Sequence, residues 1–401
     1  MCIRDSYCGM LNCSYNLGMR HLKGYIPEYP VGTAEELADK MAEFVPIARA
    51  VLGIKDLKII TFGPRPQDFF ACNAPIKGLY ELGVEIEENS ELDLLVSYKE
   101  HTDDPRIPEV CADMAAEMGE GKYYPDLLAR MAQFELTLLD WAEAHKGSKK
   151  YVAFADKCWP AFPSQFGFEP CYVNSRLVSR GIPVSCEVDI YGALSEYIGM
   201  CVSGDTVTLL DINNSVPRYI YDEDIAGKFD YKLTDTFMGF HCGNTPSCKM
   251  CADRAVKYQL IQHRLLEPAG SEPDFTRGTL EGDIAPSDIT FYRLQCDSEG
   301  TLRAYIAQGE VLPVATRSFG GIGIFAIKEM GRFYRHVLVQ KRYPHHGAVG
   351  VGQKGKGAGR YKKMTRAAKS IVFLEGVGGR FKKKMGGGGG GGGYPTENPF
   401  A

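Results

Sequence analysis

The sequence predicts an α/β protein: a Rossmann-like α/β domain with a parallel sheet, followed by a mostly antiparallel, barrel-like β domain. Three observations predict it. Up to about residue 203, short apolar β-branched runs alternate with segments of helical period, the pattern of βαβ units. Beyond Gly204 helical periods become scarce, and strand-like runs follow one another between Gly, Pro and Asp turns. Hydrophobic residues make up 44% of the 401 and charged residues 24%, enough apolar material for sizeable cores.

Taken in order, Thr33 to Gly53 reads as an amphipathic helix. Thr33 and Glu36 have capping-box spacing, Leu37, Met41, Phe44, Val45 and Ala48 recur at helical intervals, and Gly53 is suited to end it in the left-handed conformation. LKIITF (Leu57 to Phe62) reads as a buried strand, Phe69 to Leu82 as a helix ended by Gly83, and Val84 to Glu88 as a second strand parallel to the first. A long helix is expected from Pro125 to His145. Tyr151 to Ala155 and Ile182 to Glu187 read as further buried strands. In the second half, Thr206 to Ile212, Gly278 to Ile284, Ile289 to Gln295, Leu302 to Ile306, Gly321 to Ile327 and Val337 to Gln340 are strand-like. The domain division that follows is 1–13 (a non-native start or remnant of an earlier domain), 14–202 (α/β), 203–352 (β-rich), 353–393 (an aberrant Gly/Lys-rich segment with eight consecutive glycines) and 394–401.

Charge and cysteine content narrow the function. The net charge of −4 conceals a segment, Gln353 to Lys384, with 11 Lys/Arg and one Glu, so the remainder carries 35 basic and 49 acidic residues. A body that acidic is a poor partner for a phosphate backbone, so nucleic acid is not expected. No apolar run approaches the roughly 20 residues needed to span a bilayer, so no membrane role is expected. Thirteen scattered cysteines, an odd number, fit reduced thiols in the cytoplasm better than a disulfide framework.

Candidate chemistry gathers at strand ends. GIPVSCEVD places Glu187 and Asp189 at the end of a strand, on one face if the strand alternates regularly, and TVTLLDINN does the same for Asp211. RYPHHGAVG supplies His345 and His346; on an extended chain neighbouring side chains diverge, so one of the two is expected to join a given site, with Gly347 allowing close backbone approach to a ligand. Glu, Asp and His together form a mixed O/N site suited to Mn²⁺, with Mg²⁺ or Co²⁺ as alternatives. Cys242, Cys248 and Cys251, with His241 alongside, have only one tight pair and make a weak zinc signal. Trp159, on a loop after a strand and followed by Gln165, is a candidate to stack on the apolar face of a sugar, and His241 to face a polar ligand. GPRPQDF (Gly63 to Phe69) lacks both GxGxxG and a Walker lysine, although Arg65 is placed to bind an anion at the following helix; SFGGIGIF leads into a strand and also fails as a nucleotide loop.

CWPAFPSQFG, PCYVNSRL, GIPVSCEVDIYGALSEY, TLLDINN, GFHCGN, TRGTLEGDI, LPVATRSFGGIGIFAI and KRYPHHGA resemble the L-fucose/L-arabinose isomerase family, from about Tyr7 to Val349 and again at YPTENPF. The resemblance implies an aldose–ketose isomerase with two α/β domains and a β-rich C-terminal domain, and a cleft between the second and third. It implies a metal site of Glu187, Asp211 and His346, with Glu187 and Asp211 also moving protons, and commonly a hexamer. It further implies that most of the first α/β domain precedes the start of this chain. The family expects a His where Gln353 stands, and its following helix is replaced by the Gly/Lys-rich segment.

The expected reaction interconverts an aldose and its ketose (L-fucose, D-arabinose or L-arabinose type) through an enediol. Glu187 or Asp211 moves the C2 proton to C1, and Trp159, Gln165, His241 and His345 contact the sugar. The bound cation polarises the carbonyl. Expected partners are a monosaccharide and further copies of the chain. The alternatives are a non-catalytic carbohydrate-binding or assembly subunit and a metal-dependent aldolase or lyase.

Overall fold

The computed structural model describes residues 7–22, 26, 29–259 and 276–352. Residues 1–6 of the expected 1–13 segment, and the expected segments 353–393 and 394–401, lie outside them. Helices α1 (Tyr7–Met19) and α2 (Ala34–Lys55) lead into β1 (Leu57–Phe62). There follow α3 (Lys77–Glu81), β2 (Glu85–Asn89), α4 (Glu91–Glu100), α5 (Ile107–Met118), α6 (Pro125–His145), β3 (Tyr151–Ala155), α7 (Cys171–Ser179), β4 (Val184–Ser185) and α8 (Ile190–Ser203). The second half contains β5 (Val207–Asn214), α9 (Arg218–Ile220), β6 (Thr236–His241), β7 (Ala255–Tyr258), β8 (Arg277–Asp283), β9 (Ser287–Cys296), β10 (Leu302–Val311), β11 (Gly321–Ala326), α10 (Met330–Phe333) and β12 (His346–Val351).

The first four strands form a parallel sheet in the order β2-β1-β3-β4. The remaining eight run β10-β9-β12-β5-β6-β11-β8-β7, and β10 also pairs with β11. That extra pairing closes β10, β9, β12, β5, β6 and β11 into a six-stranded antiparallel barrel, so those strands keep no free edge. Alternation divides the barrel strands between two environments. Leu210 and Val349 point into the barrel beside Phe237, Phe291 and Phe325, while Val207 and Ala348 face α8 and share its core with β1, β3 and α2. Helix α8 is therefore the joint between sheet and barrel. Among the described residues no helix is long and apolar enough to cross a membrane.

Several local expectations are corrected. Helix α2 has the Thr33/Glu36 capping box but runs through Gly53, ending at Lys55 with the Asp56 N–H bonded to the Gly53 and Ile54 carbonyls. The Phe69–Leu82 helix is two pieces, a 3₁₀ turn at Phe70–Cys72 and α3. Pro75 separates them, because the residue before a proline is pushed out of the helical region. Arg65 consequently meets no helix N-terminus; its Nη1 donates to the Ala74 carbonyl at 2.8 Å. The Ile182–Glu187 strand shrinks to Val184–Ser185. Pro183 brings no N–H to the ladder, and the chain turns at Cys186. Val337 to Gln340 is helical, continuing α10 through Val339. Met330, Phe333, Val337 and Leu338 recur at helical spacing and pack against the barrel core. A Cβ on Gly347 would lie 2.3 Å from the Phe291 ring, so this glycine admits core aromatics rather than a ligand.

A charged network ties the helical layer to the second half of the chain. Arg176 on α7 is 2% exposed; its Nε donates to Glu135 of α6 at 2.5 Å and its Nη2 to Asp113 of α5 at 2.7 Å. Its Nη1 bonds Glu117, which also accepts from the Ser247 hydroxyl. Removing the cation strands buried Glu135 with only half-exposed Arg180 as partner. Arg176→Met is therefore expected to lower stability by about 3 kcal/mol, read as a shifted urea midpoint; a midpoint equal to that of the parent would show the network to be dispensable.

Candidate metal and sugar site

The site forms where the carboxyl ends of β3 and β4 meet β5 and β12. Glu187 follows β4 in a tight turn with φ 61°, and Val188 follows with φ 51°. Two successive left-handed residues without glycine cost about 1–2 kcal/mol each, and a β-branched residue resists the region most. The turn is held from both sides. The Val188 N–H donates to the Asp156 carbonyl at 2.8 Å, and the Asp156 N–H donates to the Ser185 carbonyl at 3.0 Å. Asp189 ends the turn as the N-cap of α8, accepting from the Gly192 N–H at 2.9 Å.

On the barrel side, β12 and β5 pair in a register that sets His346 directly opposite Asp211. Cross-strand partners share a face, and here that face is turned toward Glu187. His346 Nε2 lies 3.2 Å from Asp211 Oδ1 and 3.5 Å from Glu187 Oε2. His345 Nε2 lies 3.1 Å from Glu187 Oε2 and 3.9 Å from Asp211 Oδ1. Both histidines thus reach the same acids, contrary to the expectation that one would turn away. His345 precedes β12, where strand alternation does not yet apply, and the two rings sit 4.2 Å apart.

Asp189 fixes the chemistry of His346. It is fully buried, and its pKa is held far below the ordinary carboxylate range. Burial works against the charge, but Arg293 and His346 outweigh it. Arg293 Nη1 and Nη2 each donate to it at 2.7 Å, and the pair is 0% exposed on both sides. An ionised carboxylate can only accept, so His346 Nδ1, 2.8 Å from Oδ2, must be the donor. A neutral imidazole that spends Nδ1–H on a carboxylate presents its Nε2 lone pair, the arrangement of a metal-binding histidine. Burial likewise opposes charge on Asp211, yet His346, His241 and His345 bring its pKa well below the usual range.

Asp211 Oδ1, His241 Nε2 and His346 Nε2 are buried without a well-aligned hydrogen bond, the first and last facing each other at 3.2 Å. Ligand atoms of those three residues lie within 4.8 Å of one another, and Glu187 borders the same space. Buried polar atoms without partners require an explanation, and a bound cation supplies one. The donor set fits a divalent metal of O/N preference.

A cavity of about 210 Å³ opens onto these groups, lined by Glu187, Asp211, His345, Phe69, Trp159 and Phe240 among others. Phe69 packs between Trp159 (5.7 Å between centroids) and His345 (5.0 Å). Of the sequence candidates, Glu187, Asp211, His345 and His346 come together, Trp159 walls the cavity, and His241 packs its ring 5.8 Å from that of His346. Gln165 does not join them; it is exposed on a turn and bonds Ser164 at 3.5 Å. Glu187 and Asp189 do not share a strand face, because the strand ends before them. Cys248 is exposed, and His241 meets Cys242 Sγ at 3.8 Å through Nδ1 while grouping with Asp211 and His346. Sequence reasoning missed Phe69, Arg293, Asp156 and Cys72. Only Asp156, an acid just past a predicted strand, carried a usable signal.

A parallel sheet joined to a closed antiparallel barrel thus brings two acids and two histidines together at the junction. Residues 239–367 match the family described as L-fucose isomerase, C-terminal domain, and residues 2–55 match fucose/sulfoquinovose isomerase, N-terminal domain. The chain is similar to a sulfoquinovose isomerase of Clostridium sp. (strain MSTE9), 26% identical over 301 residues covering 71% of this chain and 58% of that protein. It is similar also to those of Priestia aryabhattai (24% identical, 69% of this chain, 56% of that protein) and Alkalicoccus urumqiensis (22%, 79% and 66%). Two parts of the chain thus match models of fucose/sulfoquinovose isomerase domains, and the chain spans less than two thirds of the length of these relatives.

Asp156, which braces the Glu187 turn, is fully buried. Burial pushes its carboxyl up to about 7, against the pull of Asn174 and His241. Its unfolded value is about 3.9, so folding keeps a proton that the unfolded chain loses above pH 4. The stability it contributes is complete below about pH 4 and lost as pH rises to about 7. Asp156→Asn removes this slope. The variant should gain on the parent by up to about 1.4 kcal/mol per pH unit across that window and by nothing further above it. Denaturation at several pH values measures this, and a difference independent of pH would refute it.

Proposed function

We propose that the chain interconverts an aldose with its ketose through an enediol. The observation that carries this reading is the convergence of Glu187, Asp211 and His346, the two acids lining one cavity and the histidine buried behind them, oriented by Asp189 and Arg293. Glu187, Asp211 and His346 would hold a divalent cation, Mn²⁺ first and Mg²⁺ or Co²⁺ as alternatives. Such an ion supplies Lewis-acid polarisation of the sugar carbonyl.

The residues of the chain do the rest. One of Glu187 and Asp211 removes the C2 proton and returns it at C1, while the other handles the hydroxyl proton. His345, 3.1 Å from Glu187, orients that carboxylate and is placed to bond a sugar hydroxyl. Trp159 and Phe69 offer an apolar wall for the C–H face of the sugar and keep water from the intermediate.

The substrate proposed is an uncharged aldose of L-fucose, D-arabinose or L-arabinose type. The cavity wall includes Phe69, Trp159, Phe240 and two acids, and no Lys or Arg among its described residues, which supports a neutral sugar. Sulfoquinovose is the second reading, favoured by the names of the relatives. A cytoplasmic homo-oligomer is also proposed; all twelve described cysteines are free, as a reducing compartment keeps them.

Ketose formation from each of these sugars, with Mn²⁺ and after chelation, tests the reading. Turnover should require metal, and Glu187→Gln or Asp211→Asn should reduce kcat by about 10²–10⁴-fold while the fold persists. A folded chain that binds sugar but never produces ketose, with or without Mn²⁺, would favour the non-catalytic binding subunit.

A further inference from the structure

Cys72 is a residue for which the proposed reaction has no use. It closes the 3₁₀ turn after β1, is 1% exposed, and sets its Sγ 3.7 Å from His346 Nδ1. Cys72, Glu187, His345 and His346 each offer a ligand atom, and all four atoms lie within 4.8 Å of one another. Nδ1, the nitrogen facing Cys72, is the one bonded to Asp189; Nε2 of the same ring is buried and makes no aligned hydrogen bond. The thiol therefore stands beside an already converging donor set.

This second set differs from the first in kind. Glu187, Asp211 and His346 offer two carboxylates and one imidazole. Cys72, His345, His346 and Glu187 offer one sulfur, two imidazoles and one carboxylate. Ligand type governs which ion is preferred: thiolate with imidazole selects Zn²⁺ or Cd²⁺ over Mn²⁺ or Mg²⁺. Donors around one tetrahedral Zn²⁺ lie about 3.5 Å apart, so side-chain movements of about 1 Å would complete the shell. The two sets share Glu187 and His346 and cannot be filled together.

We propose that the centre is a dual cation site, in which Zn²⁺ or Cd²⁺ bound through Cys72, His345, His346 and Glu187 excludes the cation held by Glu187, Asp211 and His346. On binding, the Cys72 thiol passes its proton to solvent as the metal–sulfur bond forms, and no oxidant is involved. The consequence is an enzyme shut off by soft divalent ions at its own metal centre. The inference rests on the reading of that centre as a metal site, but its test does not use turnover.

The experiment is titration of the metal-free chain with Cd²⁺, recording thiolate-to-cadmium charge-transfer absorption in the ultraviolet, for the parent, Cys72→Ser, Cys72→Ala and Cys248→Ser. The parent and Cys248→Ser should show a band saturating at one equivalent. Both Cys72 variants should lose it and bind Cd²⁺ more weakly by on the order of 100-fold. Two Cys72 variants, each checked by near-ultraviolet circular dichroism, guard against a misfolded one. Mn²⁺ followed by its electron paramagnetic resonance should be released from the parent by one equivalent of Cd²⁺, and from the Cys72 variants only at much higher Cd²⁺. A band and affinity unchanged in folded Cys72→Ser or Cys72→Ala would overturn the proposal. A Cys72-dependent Cd²⁺ band in a chain that never binds Mn²⁺ would leave the soft-ion site standing and remove the Mn²⁺ centre, so the two readings fail separately.

Discussion

The arrangement depends on one buried ion pair, Asp189 with Arg293. Neither side chain is exposed to solvent, and each is satisfied beyond its partner. Arg293 also donates to Gln295 Oε1 through Nε and Nη2, and Asp189 also accepts from the Gly192 N–H and His346 Nδ1. A buried pair of this kind yields little net stability, since desolvation consumes most of the Coulombic gain. What it does here is specify geometry. Its geometry pins the start of α8 to β9 and β12, and so fixes the distance between the Glu187 turn and the His346 strand.

From that pin the rest of the site follows. With Asp189 ionised, His346 turns its Nδ1–H to that carboxylate and its Nε2 to Asp211 and Glu187, where the acids favour a proton that a bound cation would displace. The left-handed turn at Glu187 and Val188 is tolerated because Asp156 holds its backbone and Asp189 its far end. An unbraced chain would relax that turn and withdraw Glu187 from the cavity. Strain in the α/β layer and alternation in the barrel thus act on the same few atoms, with α8 transmitting the alignment between them.

The acids and histidines of the site are buried or nearly so. Burial alone would neutralise such groups. Here histidines keep Asp211 ionised and acids keep a proton on His346, a balance that a divalent cation replaces directly. The aromatic wall of Phe69 and Trp159 lowers the dielectric further and strengthens every interaction at the cavity mouth.

Much of this was legible in the sequence. Strands β1, β3 and β5 and helix α6 are apolar runs or helical periods bounded by their own signals, so local chemistry determined them. Glu187, Asp211 and His346 were legible as acids and a histidine at segment ends and through the family resemblance. The tertiary structure alone decided what surrounds them. Pro75 and Pro183 broke a helix and a strand that composition favoured, because a proline acts on backbone geometry that an apolar pattern does not report. The pairing of His346 with Asp211 is a matter of register between strands about 135 residues apart, and no local period encodes it. Arg293 and Cys72 gave no sign in the sequence, since a charge or a thiol acquires meaning only from what folding packs against it.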